Sequence, residues 1–138
     1  MSASGISDGA TAGLSILGKQ AGAAAGTLET FPNRHPGRRY TVTLETAEFT
    51  CVCPVTGQPD FATLHIRYIP AERIVESKSL KLYLWQYRNQ GVFHEHVTNQ
   101  ILDDLVAALQ PLACEVRGSF NVRGGISLTV EARYEQEA

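Results

Sequence analysis

Four stretches of this chain alternate apolar and polar residues with a period of two, and a longer stretch among them repeats with the period of a helix. Tyr40, Val42, Leu44 and Thr46 interleave with Arg39, Thr41, Thr43 and Glu45, the pattern of a strand with one buried face. Leu64, Ile66 and Tyr68 alternate with His65, Arg67 and Ile69 until Pro70 ends the run. Two further runs, Cys114 to Val122 and Ile126 to Ala132, flank Asn121-Val122-Arg123-Gly124-Gly125 and predict an antiparallel pair closed by a glycine-containing turn. From Gly91 to Leu109, Phe93, Val97, Ile101, Leu105 and Leu109 recur at every fourth position, which predicts an amphipathic helix. A turn and short helix are expected through Ala71 to Leu84. There Ser77 to Trp85 reads as either helix or strand, because Leu80, Leu82 and Leu84 also alternate. The order strand, strand, helix, helix, strand, strand predicts an α+β sheet with helices on one face. Such a sheet leaves two edges unpaired, so self-association that closes the sheet is expected.

The 138 residues, 43% of them hydrophobic, make one domain with enough apolar surface for a core. Residues 1 to about 36 are rich in Gly, Ala, Ser and Thr and carry few large hydrophobes. They are expected to form a flexible N-terminal arm before a domain of residues 37–138, with a short helix over Leu14 to Gln20 compatible with the pattern. A formal charge of −2 offers no bulk attraction to a polyanion, so no direct nucleic-acid partner is expected. No window approaches the roughly 18 to 20 apolar residues of a membrane span, and the start lacks a signal-peptide pattern; no membrane partner and a cytoplasmic location are expected. Three cysteines are too few for a disulfide scaffold.

Cys53 and Asp60 lie within Thr50 to Phe61, a segment in which Pro54, Gly57 and Pro59 predict a loop rather than a buried strand. A thiol turned back toward a carboxylate is a nucleophile with a proton donor at hand; a small apolar residue followed by a turn-capping Asp fits the same local sequence. Cys51, Cys53, Cys114 and a histidine have the right chemistry for zinc, but the spacing fits no structural knuckle, and no metal is expected. Glu95, within Phe93-His94-Glu95-His96, either complements the unpaired amides of a helix start or accepts hydrogen bonds from an amidine-like ring edge, with His94 a donor beside it. Glu76-Ser77-Lys78-Ser79-Leu80-Lys81 is either a solvated face or a clamp, with Glu76 and Ser77 on a heterocycle and Lys78 and Lys81 on phosphate. Arg123 beside Gly124 adds a charge and backbone amides suited to an anion. No Gly-x-Gly-x-x-Gly occurs, so a nucleotide cofactor would need something other than a Rossmann unit.

Taken in order, Cys-Pro-x-Thr-Gly-Gln-Pro-Asp at 53–60, Glu-Ser-Lys-Ser-Leu-Lys-Leu-Tyr at 76–83, Phe-His-Glu at 93–95 and Arg-Gly-Gly at 123–125 closely resemble the short, single-domain form of NADPH-dependent 7-cyano-7-deazaguanine reductase, the nitrile reductase of queuosine biosynthesis. The resemblance spans about Phe49 to Leu128. It implies the tunnelling fold, a four-stranded antiparallel sheet with two helices, whose subunits close into barrels; a homo-oligomeric decamer of two pentameric rings is expected. It implies that Cys53 adds to the nitrile carbon to give a thioimide, that Asp60 is the acid for the nitrile nitrogen, and that His94 assists. Glu95, helped by Glu76 and Ser77, would hold the deazapurine substrate. NADPH is the expected cofactor, with Lys78, Ser79, Lys81, Arg123 and Gly124 as its expected contacts. Some members of that family carry a protective cysteine four residues after the substrate-binding glutamate. Position 99 is Asn here, which leaves Cys51 as the candidate for that role. The rivals are a zinc-dependent cyclohydrolase or other pterin-related enzyme of the same fold, and a non-catalytic purine-binding protein in which Cys53 is buried and inert.

Overall fold

The computed structural model describes residues 27–137. The helix compatible with Leu14 to Gln20, like most of the expected arm, lies outside the described residues. In chain order the elements are β1 (Thr30–Pro32), β2 (Val42–Val52), β3 (Pro59–Ile69), β4 (Arg73–Val75), α1 (Ser77–Trp85) with a following 3-10 turn (Gln86–Asn89), α2 (His94–Leu109), β5 (Ala113–Arg123) and β6 (Ile126–Glu135).

The four long strands form one antiparallel sheet in the order β2-β3-β5-β6. Alternation decides which face of it is buried. Asp60, Ala62, Leu64, Ile66 and Tyr68 of β3 and Cys114, Val116, Gly118 and Phe120 of β5 point to the helices, while Arg67 and Arg117 stay exposed. The helices cover that face with Leu80, Leu84, Val97, Ile101, Leu105 and Leu109. The opposite face is crossed by charge pairs, His65–Glu45 at 3.2 Å, Arg117–Glu131 at 3.3 Å and Arg133–Glu115 at 2.9 Å, whose solvent exposure makes each worth little in stability but keeps the face polar. Among the described residues, no strand lies beyond the edges β2 and β6.

The architecture differs from the sequence expectation in the loop expected over Thr50 to Phe61, which is narrower because cross-strand pairing carries β2 to Val52 and starts β3 at Pro59, and in the N-terminal segment; it also resolves the ambiguity at Ser77. Residues 30–32, inside the segment expected to be an arm, form β1 and pair with β4 in a separate two-stranded sheet. Leading into it, Glu29 donates its main-chain N–H to the Ser79 hydroxyl (2.9 Å) and accepts from the Glu76 N–H (2.8 Å), and Asn33 is buried with its side chain on Ala71 O. The ambiguous stretch from Ser77 is a helix because Glu76 caps it, each carboxylate oxygen accepting one amide of the first turn, from Ser79 (2.8 Å) and Lys78 (3.0 Å).

Close approach of α2 to the sheet depends on Gly118. A Cβ there would meet Phe120 Cε1 at 3.0 Å and Thr98 Oγ1 at 3.1 Å, and the Thr98 hydroxyl is already donated to the His94 carbonyl. Gly118→Ala should therefore push the first turn of α2 off the sheet at a cost of roughly 1–3 kcal/mol, read by urea unfolding. Unchanged stability would show that the turn can yield freely.

Candidate active site

The segment between β2 and β3 folds as a closed turn. The Cys53 N–H donates to Gln58 O (2.8 Å), the Gly57 N–H returns to Cys53 O (2.9 Å), and Gly57 takes φ +76°, which a residue with a Cβ adopts only with strain. This geometry directs local donors at the sulfur: the Thr56 amide lies 3.5 Å from Cys53 Sγ. The Cys53 thiol is held below its ordinary pKa by hydrogen bonds from the Thr56 side chain first, then from the Thr56 and Val55 amides, against desolvation and the negative charge of Asp60. The side chain is partly exposed. Thr56 was not singled out from sequence; the available signal was its place three residues after the cysteine in a turn closed by Gly57.

The chain leading into α2 is stitched to the same turn. Val52 donates to Gln90 O (2.9 Å) and accepts from the Val92 N–H (3.0 Å), and Gly91 packs on Pro54, where a Cβ would lie 3.3 Å from Pro54 Cα. That contact brings the start of α2 beside Cys53. The helix has no side-chain cap; Glu95 stands exposed in its first turn, where a carboxylate is favoured by the unpaired amides.

Asp60 is the buried centre of the arrangement, 6% exposed. His94 Nε2 approaches its Oδ2 at 3.1 Å, and Arg123 Nε approaches its Oδ1 at 3.1 Å. Phe120, within the alternating run from Cys114 to Val122, stacks on the His94 ring at 3.9 Å and 9° and fixes the imidazole plane. The structure thus brings together Asp60, His94 and Arg123 from β3, α2 and β5, with Cys53 near enough to Asp60 for their charges to couple.

Other expected site residues stand elsewhere or have different employment. Arg123, expected on a cofactor phosphate, is committed to Asp60, Gln58 Oε1 and Pro59 O. Ser79, also expected on the cofactor, is 0% exposed and its hydroxyl serves Glu29 and Glu76 in the α1 cap, so within this chain it is structural. Gly124 and Gly125, with φ of +57° and +79°, form the two-residue β5–β6 turn. Ser77 and Lys81 line a groove of about 570 Å³ with Leu44, Phe49, Leu80 and Trp85, and none of Cys53, Asp60, His94 or Arg123 borders it. Lys78 and Lys81 are exposed on α1. Among the described residues, no group of three or more His, Cys, Asp or Glu side chains is arranged to hold a metal ion.

Cys51 does not suit the protective role. It is 0% exposed, and burial first, then the charges of Asp60 and Cys53, pushes its thiol up to about 11. Cys114 is likewise buried and raised to about 12. Iodoacetamide on the folded protein should therefore alkylate Cys53 alone, with a midpoint below the ordinary 9.0. Cys51→Ala should leave turnover nearly unchanged while lowering stability by about 1 kcal/mol; loss of activity in a folded Cys51→Ala protein would return that residue to the site.

A mixed sheet-and-helix layer carrying an activated thiol next to a paired, buried carboxylate defines the class as a cysteine-bearing α+β protein of tunnelling-fold type. The archaeosine synthase QueF-Like in its apo form has this fold: it superposes with a TM-score of 0.65 at 23% identity, covering 71% of this chain and 96% of its own. Residues 59–138 match the family model described as QueF-like protein. A protein of Syntrophus aciditrophicus named NADPH-dependent 7-cyano-7-deazaguanine reductase is 68% identical over 123 residues, 89% of this chain and 87% of that one. Proteins of the same name from Anaeromyxobacter sp. (strain K) and Thermomicrobium roseum are 65% and 60% identical, with 78% and 80% of this chain covered and 88% and 87% of theirs. The chain belongs to the QueF family.

Proposed function

We propose that this protein reduces the nitrile of 7-cyano-7-deazaguanine to the aminomethyl group, consuming two NADPH, through a thioimide on Cys53. The observation that carries the reading is the partly exposed Cys53 thiol, held low by its own turn, beside the buried Asp60 that is paired with His94.

The chemistry follows from the bonding. A nitrile carbon is a poor hydride acceptor. The Cys53 sulfur contributes an electron pair to form S–C, one π pair of the triple bond moves to nitrogen, and that nitrogen takes a proton from the Asp60–His94 pair. The product is a C=N unit that accepts hydride once protonated. NADPH, held by Lys78 and Lys81, would supply the hydrides; the acceptors are the thioimide carbon and then the imine carbon left after the S–C bond breaks. Cys53 recovers its electron pair in that cleavage, and the total consumed is two hydrides and two protons.

Glu95, exposed at the start of α2, is assigned to the aminopyrimidinone edge of the base. Ser77 assists, as does Glu76, whose oxygens keep acceptor capacity beyond the cap bonds. Lys78 and Lys81 fit the cofactor phosphates: they stand one turn apart on the exposed side of α1, and the amides at that helix end are already taken by Glu76. Within one chain the α1 groove and the Cys53 turn are separate. A homo-oligomer that closes the sheet through edges β2 and β6 would set one copy's groove against its neighbour's thiol; the assembly proposed is a decamer of two pentameric rings.

The test mixes protein, 7-cyano-7-deazaguanine and NADPH and follows nicotinamide absorbance. Two equivalents oxidised per nitrile are expected. No oxidation by a folded oligomer would sink the reading.

A further inference from the structure

Arg123 reaches from the tip of the β5–β6 hairpin to three acceptors where the Cys53 turn enters β3. Its Nε meets Asp60 Oδ1 at 3.1 Å, one terminal nitrogen donates to Gln58 Oε1 at 2.8 Å, and the other donates to Pro59 O. Gln58 is the residue whose main-chain carbonyl accepts the Cys53 N–H. One planar, fork-shaped cation therefore ties the backbone that carries the nucleophile to the carboxylate beside it.

The second carboxylate oxygen of Asp60 is taken by His94. With a partner on each oxygen, the Asp60 carboxylate is held in one orientation at the start of β3, although the arginine side chain itself is 41% exposed. Building on the reductase reading, we propose that Arg123 is a positioning residue for the step that needs no cofactor, the addition of Cys53 to the nitrile. When the nitrile nitrogen takes its proton, the Asp60–His94 pair becomes more negative by one charge. A guanidinium fixed against Oδ1 stabilises that change and keeps Asp60 and the Cys53 turn in register while it happens. This differs from the sequence expectation, in which Arg123 serves the cofactor phosphate.

The two roles separate experimentally. Wild-type, Arg123→Ala and Arg123→Lys oligomers are mixed with 7-cyano-7-deazaguanine without NADPH, and the growth of the Cys53 thioimide is timed by intact mass. The KM for NADPH is measured separately. For Arg123→Ala we expect adduct formation slowed by roughly ten- to a hundredfold, with KM for NADPH nearly unchanged; Arg123→Lys, which keeps the charge but not the fork, should fall between. Adduct formation at the wild-type rate, whatever happens to the KM, overturns the proposal. If Arg123→Ala does not fold, the lysine variant decides on the same two readouts: a slowed adduct with unchanged KM supports the role, and an unslowed one rejects it. Failure of the wild-type protein to form any adduct would instead strike the reductase reading.

Discussion

Replacing Cys53 by alanine should remove both the thioimide and all NADPH oxidation, a loss of at least ~10⁴ in turnover. No other thiol can substitute. Cys51 and Cys114 are buried, with thiols raised to about 11 and about 12, so neither supplies a thiolate near neutral pH. The fold should tolerate the change, because the sulfur is partly exposed and the turn is closed by main-chain bonds from Cys53 N and to Cys53 O that alanine retains. Intact mass after incubation with the nitrile is the direct check. An adduct of unchanged yield in the Cys53→Ala protein would move the nucleophile elsewhere.

Asp60→Asn should lower kcat by about 10²–10⁴ while affecting the KM for the base far less. The reason lies in donor counting. Asparagine can still accept from Arg123 through its oxygen, but its nitrogen cannot accept from His94 Nε2, so the imidazole must change tautomer or lose its partner. The deazapurine is held by other residues in this reading, so binding should survive. A large rise in KM with intact kcat would instead make Asp60 a base-binding residue.

The parts of this molecule that could be read from sequence are those governed by short-range periodicity. Leu64, Ile66 and Tyr68 announce β3 because a pleated strand sends every second side chain inward, and Val97 to Leu109 announce α2 for the corresponding helical reason. The three-residue strands β1 and β4 are too short to carry a period, and β1 sits beside a Gly/Ala-rich tract, so the pairing of Phe31 with Ile74 left no trace. Ser77 to Trp85 satisfied both periods; what selects the helix is a hydrogen-bonding event at Glu76, which pattern does not express. At the candidate site, Cys53 and Asp60 were legible as a pair because one short turn joins them. The contacts of Arg123 with Gln58 and Pro59 were not legible because those partners lie 65 and 64 residues away, a juxtaposition that only the sheet order creates. The burial of Cys51 was hidden for a related reason: it pairs across to Asp60 at the covered end of the sheet, a position that local sequence cannot distinguish from the rim.

The stitching of Glu29 to Ser79 and Glu76, together with the β1–β4 pairing, sets a practical boundary for anyone re-engineering the chain. A version trimmed to start at residue 37 would strip the Ser79 hydroxyl of its main-chain donor and leave β4 with a raw edge, loosening the helix that carries Lys78 and Lys81. Affinity handles, fluorescent fusions and shortened expression products should therefore join the protein ahead of Thr27.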